Sequence, residues 1–203
     1  MRRSLLGLLT VVAVAGLLIM AGCERSSVLR VVSVNHARTL ESDVADWGIW
    51  IDPNDEEHTP QPVYTVRADS AEIELQYVEI GAGLPTWTPF EAIINKATIT
   101  YKSQVDPEII YDPVVIPMTA YIMSDPTGKK TTRFVMTVLP VWWKIQYFDG
   151  DVSDPPDYDL LDVVEATIRF AGWDSVSLRE VEATGKLQIE IGNFYDNEQS
   201  FGN

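Results

Sequence analysis

The chain has 203 residues, with 15 basic against 30 acidic side chains and a formal net charge of −15 at pH 7. That balance argues against nucleic acid, whose phosphates demand clustered Lys and Arg, and against adhesion to anionic lipid headgroups. With Cys23 as its one cysteine the chain can form no internal disulfide, so an exported domain cut from it is held by its apolar core. About 180 residues suffice for that, because a domain of this size buries roughly 70% of the surface its unfolded chain exposes.

The N-terminus carries the most explicit signal. Met1-Arg2-Arg3 is a short basic start, and Leu5 to Met20 then runs without a charge. Ala21-Gly22-Cys23 follows, and the chain turns polar at once with Glu24-Arg25-Ser26-Ser27. A basic start, an apolar stretch and small residues before a cut site are the parts of a secretory signal. The residues Met20-Ala21-Gly22-Cys23 resemble a bacterial lipobox, the motif of type II signal peptides, with Met20 where that family usually has Leu. The resemblance implies cleavage between Gly22 and Cys23, lipid on Cys23, and an acyl anchor in place of a membrane-spanning helix. Two alternatives share these residues: an uncleaved anchor, since a span needs about 20 apolar residues, and ordinary cleavage without lipid. The boundaries expected are a signal peptide over 1–22, a lipidated tether over 23–27, a domain over 28–192 and a polar tail over 193–203. Without Arg2 and Arg3 the mature part keeps thirteen basic against thirty acidic residues, a net charge of −17. Glu24 after the cysteine favours an outer membrane, by the sorting rule of two-membrane bacteria.

Val28 to Asn35 is β-branched and predicts a first strand. Residues 36–62 show no period and predict a long acidic loop, with one short helical or strand piece around Val44 to Ile51. From Val63 the period is two. Ala71, Ile73, Leu75 and Tyr77 alternate with polar residues, as do Ala97, Ile99 and Tyr101. Val114 to Met123 is apolar on both parities and predicts burial on both sides, while Pro117 within it marks an edge or a bulge. Asp125-Pro126-Thr127-Gly128 reads as a turn that returns Thr131 to Leu139 as the partner strand.

Trp142 to Phe148 predicts another strand, with Trp142 and Trp143 on opposite faces. Residues 149–159 form an acidic loop. Val164, Ala166, Ile168 and Phe170 face one way, and Val181, Ala183, Leu187, Ile189 and Ile191 face in from a second strand. Val176 and Leu178 break the phase, which predicts a bulge or corner near Arg179-Glu180. The residues after Gly192 are expected to fray. About eight short strands predict an all-β, antiparallel sandwich. The strand series resembles the Ig-like or C2-like sandwiches of uncharacterised bacterial lipoproteins over residues 28–192, a resemblance that carries no catalytic residue with it.

Chemistry leaves few marks. No HExxH, GxSxG or P-loop occurs. His36 and His58 are the two histidines, and His36 reads as a surface residue. Asp149, Asp151, Asp154, Asp157 and Asp159 are the candidate metal ligands, and calcium is the cation such a loop would take. Asp149-Gly150-Asp151 opens like an EF-hand loop, but Leu160 stands where its closing Glu belongs. Trp142 and Trp143 are the candidate stacking residues, one of them at the surface. The expected function is a non-enzymatic, lipid-anchored binding or structural module of the cell envelope, without a required cofactor. It would be held to the membrane by lipid and would meet an envelope protein or glycan. The alternatives are a carbohydrate-binding or calcium-dependent adhesion domain, and an enzyme with an unrecognised carboxylate site.

Overall fold

A computed structural model describes residues 26–51, 60–80, 91–125, 127–152, 160–193 and 199–201. The strands are β1 (Ser26–Val34), β2 (Leu40–Asp43), β3 (Asp46–Ile51), β4 (Pro60–Thr65), β5 (Asp69–Ile80), β6 (Glu91–Ser103), β7 (Val114–Met123), β8 (Thr132–Leu139), β9 (Leu160–Asp174), β10 (Glu180–Gly192) and β11 (Gln199–Phe201), with one helix, α1 (Val141–Val152), between β8 and β9. A three-stranded sheet runs β1-β5-β8, a five-stranded sheet β2-β10-β9-β6-β7, and a small third sheet β11-β3-β4. The fold is all-β, as the alternating pattern predicts.

The first two sheets stack face to face. Ala71, Ile73, Leu75 and Tyr77 of β5 are buried against Ala97 and Ile99 of β6, Val164 to Phe170 of β9 and the inward row of β10. Phe134 of β8 meets Phe170 of β9 edge-on with centroids 6.1 Å apart, and the Tyr101 hydroxyl on β6 donates across the layers to the Val138 carbonyl on β8 at 2.5 Å. Gly185 interrupts the apolar row of β10 for a steric reason. A Cβ there would stand 2.8 Å from methyl groups of both Val31 and Val34 on β1, so β10 and β1 pack closely only because the position is bare.

Several expectations are corrected. The strand piece expected around Val44 to Ile51 is β3, but the segment 36–62 also holds a turn, β2 and the start of β4, which the loop reading missed. Its strands are short, β2 pairs in parallel with the distant β10, and β3 lies between the next strand, β4, and the distant β11, so no local period announces them. The tail is not simply frayed, since β11 pairs in parallel with β3; with two parallel pairs the strand arrangement is mixed. β7 is not buried on both sides. It is the edge of its sheet, as Pro117 suggests, and it passes a register shift at Ile94/Lys96 of β6. Only Val114 and Ile122 of it are fully buried, because an edge strand has one neighbour and the facing sheet is only three strands wide.

Thr132–Leu139 does not return beside β7. It joins the other sheet, next to β5. The Asp125 turn makes that crossing. Its carboxylate accepts from the Thr127 hydroxyl at 2.7 Å and from the Lys129 and Lys130 amides at 2.7 Å, while its amide donates to the Tyr77 carbonyl. Val176 and Leu178 sit in the β9–β10 hairpin turn and not in a bulged strand; the Asp174 amide donates to the Arg179 carbonyl at 2.8 Å across that turn.

Candidate functional site

The predicted strand over Trp142–Phe148 is a helix. β8 stops at Leu139 because Pro140 has no N–H to continue a ladder. The Pro140 carbonyl then accepts the amides of Trp143 at 3.1 Å and Lys144 at 3.3 Å, which starts α1. Trp143, Lys144 and Phe148 are buried and Tyr147 is half-buried, whereas Trp142, Ile145 and Gln146 face out. That is the i, i+1, i+4, i+5 stripe of an amphipathic helix. Packing has overridden the β propensity of Trp, Ile, Tyr and Phe.

α1 closes one end of the sandwich with an aromatic cluster. The Trp143 ring lies 4.7 Å from Tyr101, 4.9 Å from Tyr111 and 5.0 Å from Tyr147, with Phe148 at 6.0 Å. Burial pushes the Tyr101 and Tyr111 hydroxyls far above the usual phenol range, and for Tyr111 the Asp162 carboxylate adds to that. Asp162 is buried and accepts from the Tyr111 hydroxyl at 2.6 Å, the Ser103 hydroxyl at 2.7 Å and the Val163 amide at 2.7 Å. A buried carboxylate so satisfied is an anchor for the 104–113 connection.

Lys144 is 1% exposed. Its ammonium reaches the Asp69 carboxylate at 2.7 Å and donates to the Asp43 carbonyl. The Ser42 hydroxyl completes Asp69 at 2.6 Å. An ammonium taken out of water persists only with such partners, so this lysine ties α1 to β2 and to the start of β5. Nothing in the sequence separates it from a solvated lysine except its place next to Trp143.

The opposite end is built differently. Asp174 closes β9, accepting from the Tyr77 hydroxyl and from the Val176 amide at 2.9 Å and the Ser177 amide at 2.6 Å. Burial works against the charged form, but the Ser177 amide and the Tyr77 hydroxyl outweigh it and hold this carboxyl below its ordinary range. The Ser175 amide donates to the Glu91 carbonyl at 2.9 Å, which binds the hairpin to the start of β6. On the outer face here, Tyr121, Ile93 and Trp173 stand opposite one another on β7, β6 and β9. Directly opposed side chains are about 5 Å apart at Cβ, so the three make one row. Tyr121 and Trp173 are exposed, as are Met123 beside the row and Val176 and Leu178 in the hairpin turn. The Tyr121 and Trp173 positions became legible as a pair only through strand register.

The other sequence-predicted residues fall as follows. Gly22 and Cys23, the cleavage and lipidation sites, lie outside the described residues, and so do Asp154, Asp157, Asp159 and His58. Asp149 and Asp151 belong to the last turns of α1 and not to a loop, and their side chains are outside the described set. Among the described residues no group of three or more His, Cys, Asp or Glu is placed to hold a metal ion. Trp142 is 50% exposed and Trp143 is a core residue. His36 is exposed, 3.4 Å from Glu72. It lies in a turn where Asn35, His36 and Ala37 all have positive φ. Such a left-handed run costs about 1–2 kcal/mol per residue, offset in part as Asn35 donates from its side chain to the Arg38 carbonyl. An open depression of about 450 Å³ on the outer face of the five-stranded sheet is crossed by the Lys186–Glu165 ion pair at 2.8 Å. No family model matches the chain, and none of the curated proteins matches it.

Proposed function

We propose that this chain is a lipid-anchored, non-enzymatic binding or structural module of the bacterial cell envelope, with Cys23 as the acyl acceptor and residues 1–22 as the signal. The observation that carries this reading is the lipobox-like Ala21-Gly22-Cys23 three residues ahead of a strand: β1 begins at Ser26, so the domain follows the anchor almost without a spacer. The face-to-face stack of a three- and a five-stranded sheet supports an Ig-like or C2-like kind of sandwich. By the sorting rule, Glu24 directs the protein to an outer membrane where the cell has one.

Cys23→Ser tests this. The variant loses the acyl acceptor, so it leaves the detergent phase in partitioning and its precursor accumulates uncut. Membrane retention with normal processing would overturn the anchor. A second reading, glycan binding, is favoured by the half-exposed Trp142 beside exposed Ile145 on α1, since an open indole face stacks on sugar rings. Binding to a glycan array that is lost in Trp142→Ala would support it.

A further inference from the structure

We propose that the end of the sandwich carrying Tyr121, Met123, Trp173, Val176 and Leu178 rests on the lipid surface to which the chain is anchored. This rests on the reading of Cys23 as the acyl acceptor.

Two residues, Glu24 and Arg25, separate Cys23 from Ser26, three steps with a reach of about 10 Å even when fully extended. The start of β1 is therefore held at the bilayer, and the end of the domain that contains it faces the headgroups. Strand register identifies that end. Ser26 pairs with Ile80 and Leu29 with Tyr77. Tyr77 bridges to Ser124 and donates its hydroxyl to Asp174. Glu91 pairs with Met123 and accepts from Ser175. The β9–β10 hairpin, the end of β7 and the start of β6 thus share the end of the sandwich from which β1 departs.

This end has the chemistry of an interface. Hairpin tips are ordinarily Gly, Asn, Asp or Ser. Here Leu178 sits at the tip, 74% exposed and with φ at 58°, a conformation costly for a branched apolar side chain. Val176 is exposed two residues before it. The Tyr121–Ile93–Trp173 row continues the apolar surface over the outer face, and Tyr and Trp are the side chains that settle where apolar and wet layers meet. The surface is a flat row and a protruding tip, suited to lipid headgroups. Glu91 and Glu180 flank it, paired across strands with Met123 and Trp173, and Arg179 with Lys129 and Lys130 of the Asp125 turn share this end, so it carries both signs and suits a zwitterionic surface.

The test uses the full-length lipidated chain in phosphatidylcholine vesicles. Cys23 is the native thiol and acylation blocks it, so Leu178→Cys, Val176→Cys and Ile110→Cys each offer one site for a polarity-sensitive thiol fluorophore. Ile110 is the matched control: it is 86% exposed and lies on the connection near α1, at the opposite end. The expected result is a blue shift and a several-fold rise in emission at Leu178 and Val176 and none at Ile110. Vesicle flotation with unshifted labels at both hairpin positions overturns the proposal while leaving the anchor intact, and gives the patch to a protein partner or to none. A shift at Ile110 alone reverses the orientation and also overturns it. A wild-type chain that takes the label and does not float with vesicles removes the anchor, and this inference with it.

Discussion

The two ends of the sandwich spend their aromatic residues in opposite ways. At the α1 end, Trp143, Tyr101, Tyr111 and Tyr147 turn inward, and polar groups that came in with them are all answered: Lys144 by Asp69, Tyr111 by Asp162. At the hairpin end, Tyr121 and Trp173 turn outward, and the buried polar pair beneath them, Tyr77 with Asp174, serves the turn. The lesson is that aromatic content alone does not locate a binding surface. Which side of a strand or helix each ring occupies decides whether it contributes to stability or to recognition.

The contrast predicts a graded response to substitution. Trp143→Ala removes the ring at the centre of the inward cluster and should destabilise by about 3–5 kcal/mol, read as a lowered urea midpoint with an unchanged slope; Trp142→Ala, one residue away, should fall within about 0.5 kcal/mol of wild type. Equal losses for the two would mean that α1 does not present one face to the core. Lys144→Ala leaves Asp69 without its cation and should cost about 2–3 kcal/mol, less than a fully buried pair because Asp69 keeps Ser42 and some water. Lys144→Met refills the volume but leaves the same carboxylate without its cation, so it should recover only the packing part of that cost, as expected when one partner of a buried pair is removed.

Gly185→Val tests the seam between the sheets. The added methyl groups meet Val31 and Val34, and a cost of about 1–3 kcal/mol is expected. Acid sharpens the comparison further. The folded-state carboxyls of Asp174 and Asp125 lie below their ordinary values. Their contribution is present above the unfolded carboxylate range near pH 3.9 and is lost as pH falls through the lower folded values. Melting should therefore lose this contribution only below about pH 4, and the gap between wild type and Asp174→Asn should narrow in the same window. A constant gap would show that the Asp174 charge is not what holds the hairpin. The smallest effect belongs to Leu178→Asn. It should leave stability within about 0.5 kcal/mol of wild type, because Asn tolerates the left-handed conformation and no core contact is lost; a larger drop would give Leu178 a packing role.

Residues whose partners are set by local alternation were legible in the chain itself. Ala71 to Tyr77, Ala97 to Tyr101, Val164 to Phe170 and Val181 to Ile191 alternate with polar neighbours, and water alone decides which side of each goes in. Pro117 announced an edge because it lacks a donor, and the signal-like start is legible because signals are linear. Tertiary structure decided the rest. Trp142–Phe148 satisfies strand and helix patterns over seven residues, and only the pocket formed by Tyr101 and Tyr111 selects the helix. Thr132–Leu139 joined β5 rather than β7 because strand choice depends on which edge is open. Lys144 became buried, and Tyr121 and Trp173 became neighbours, through contacts between residues 75 and 52 positions apart, separations at which sequence spacing carries no information about distance in space.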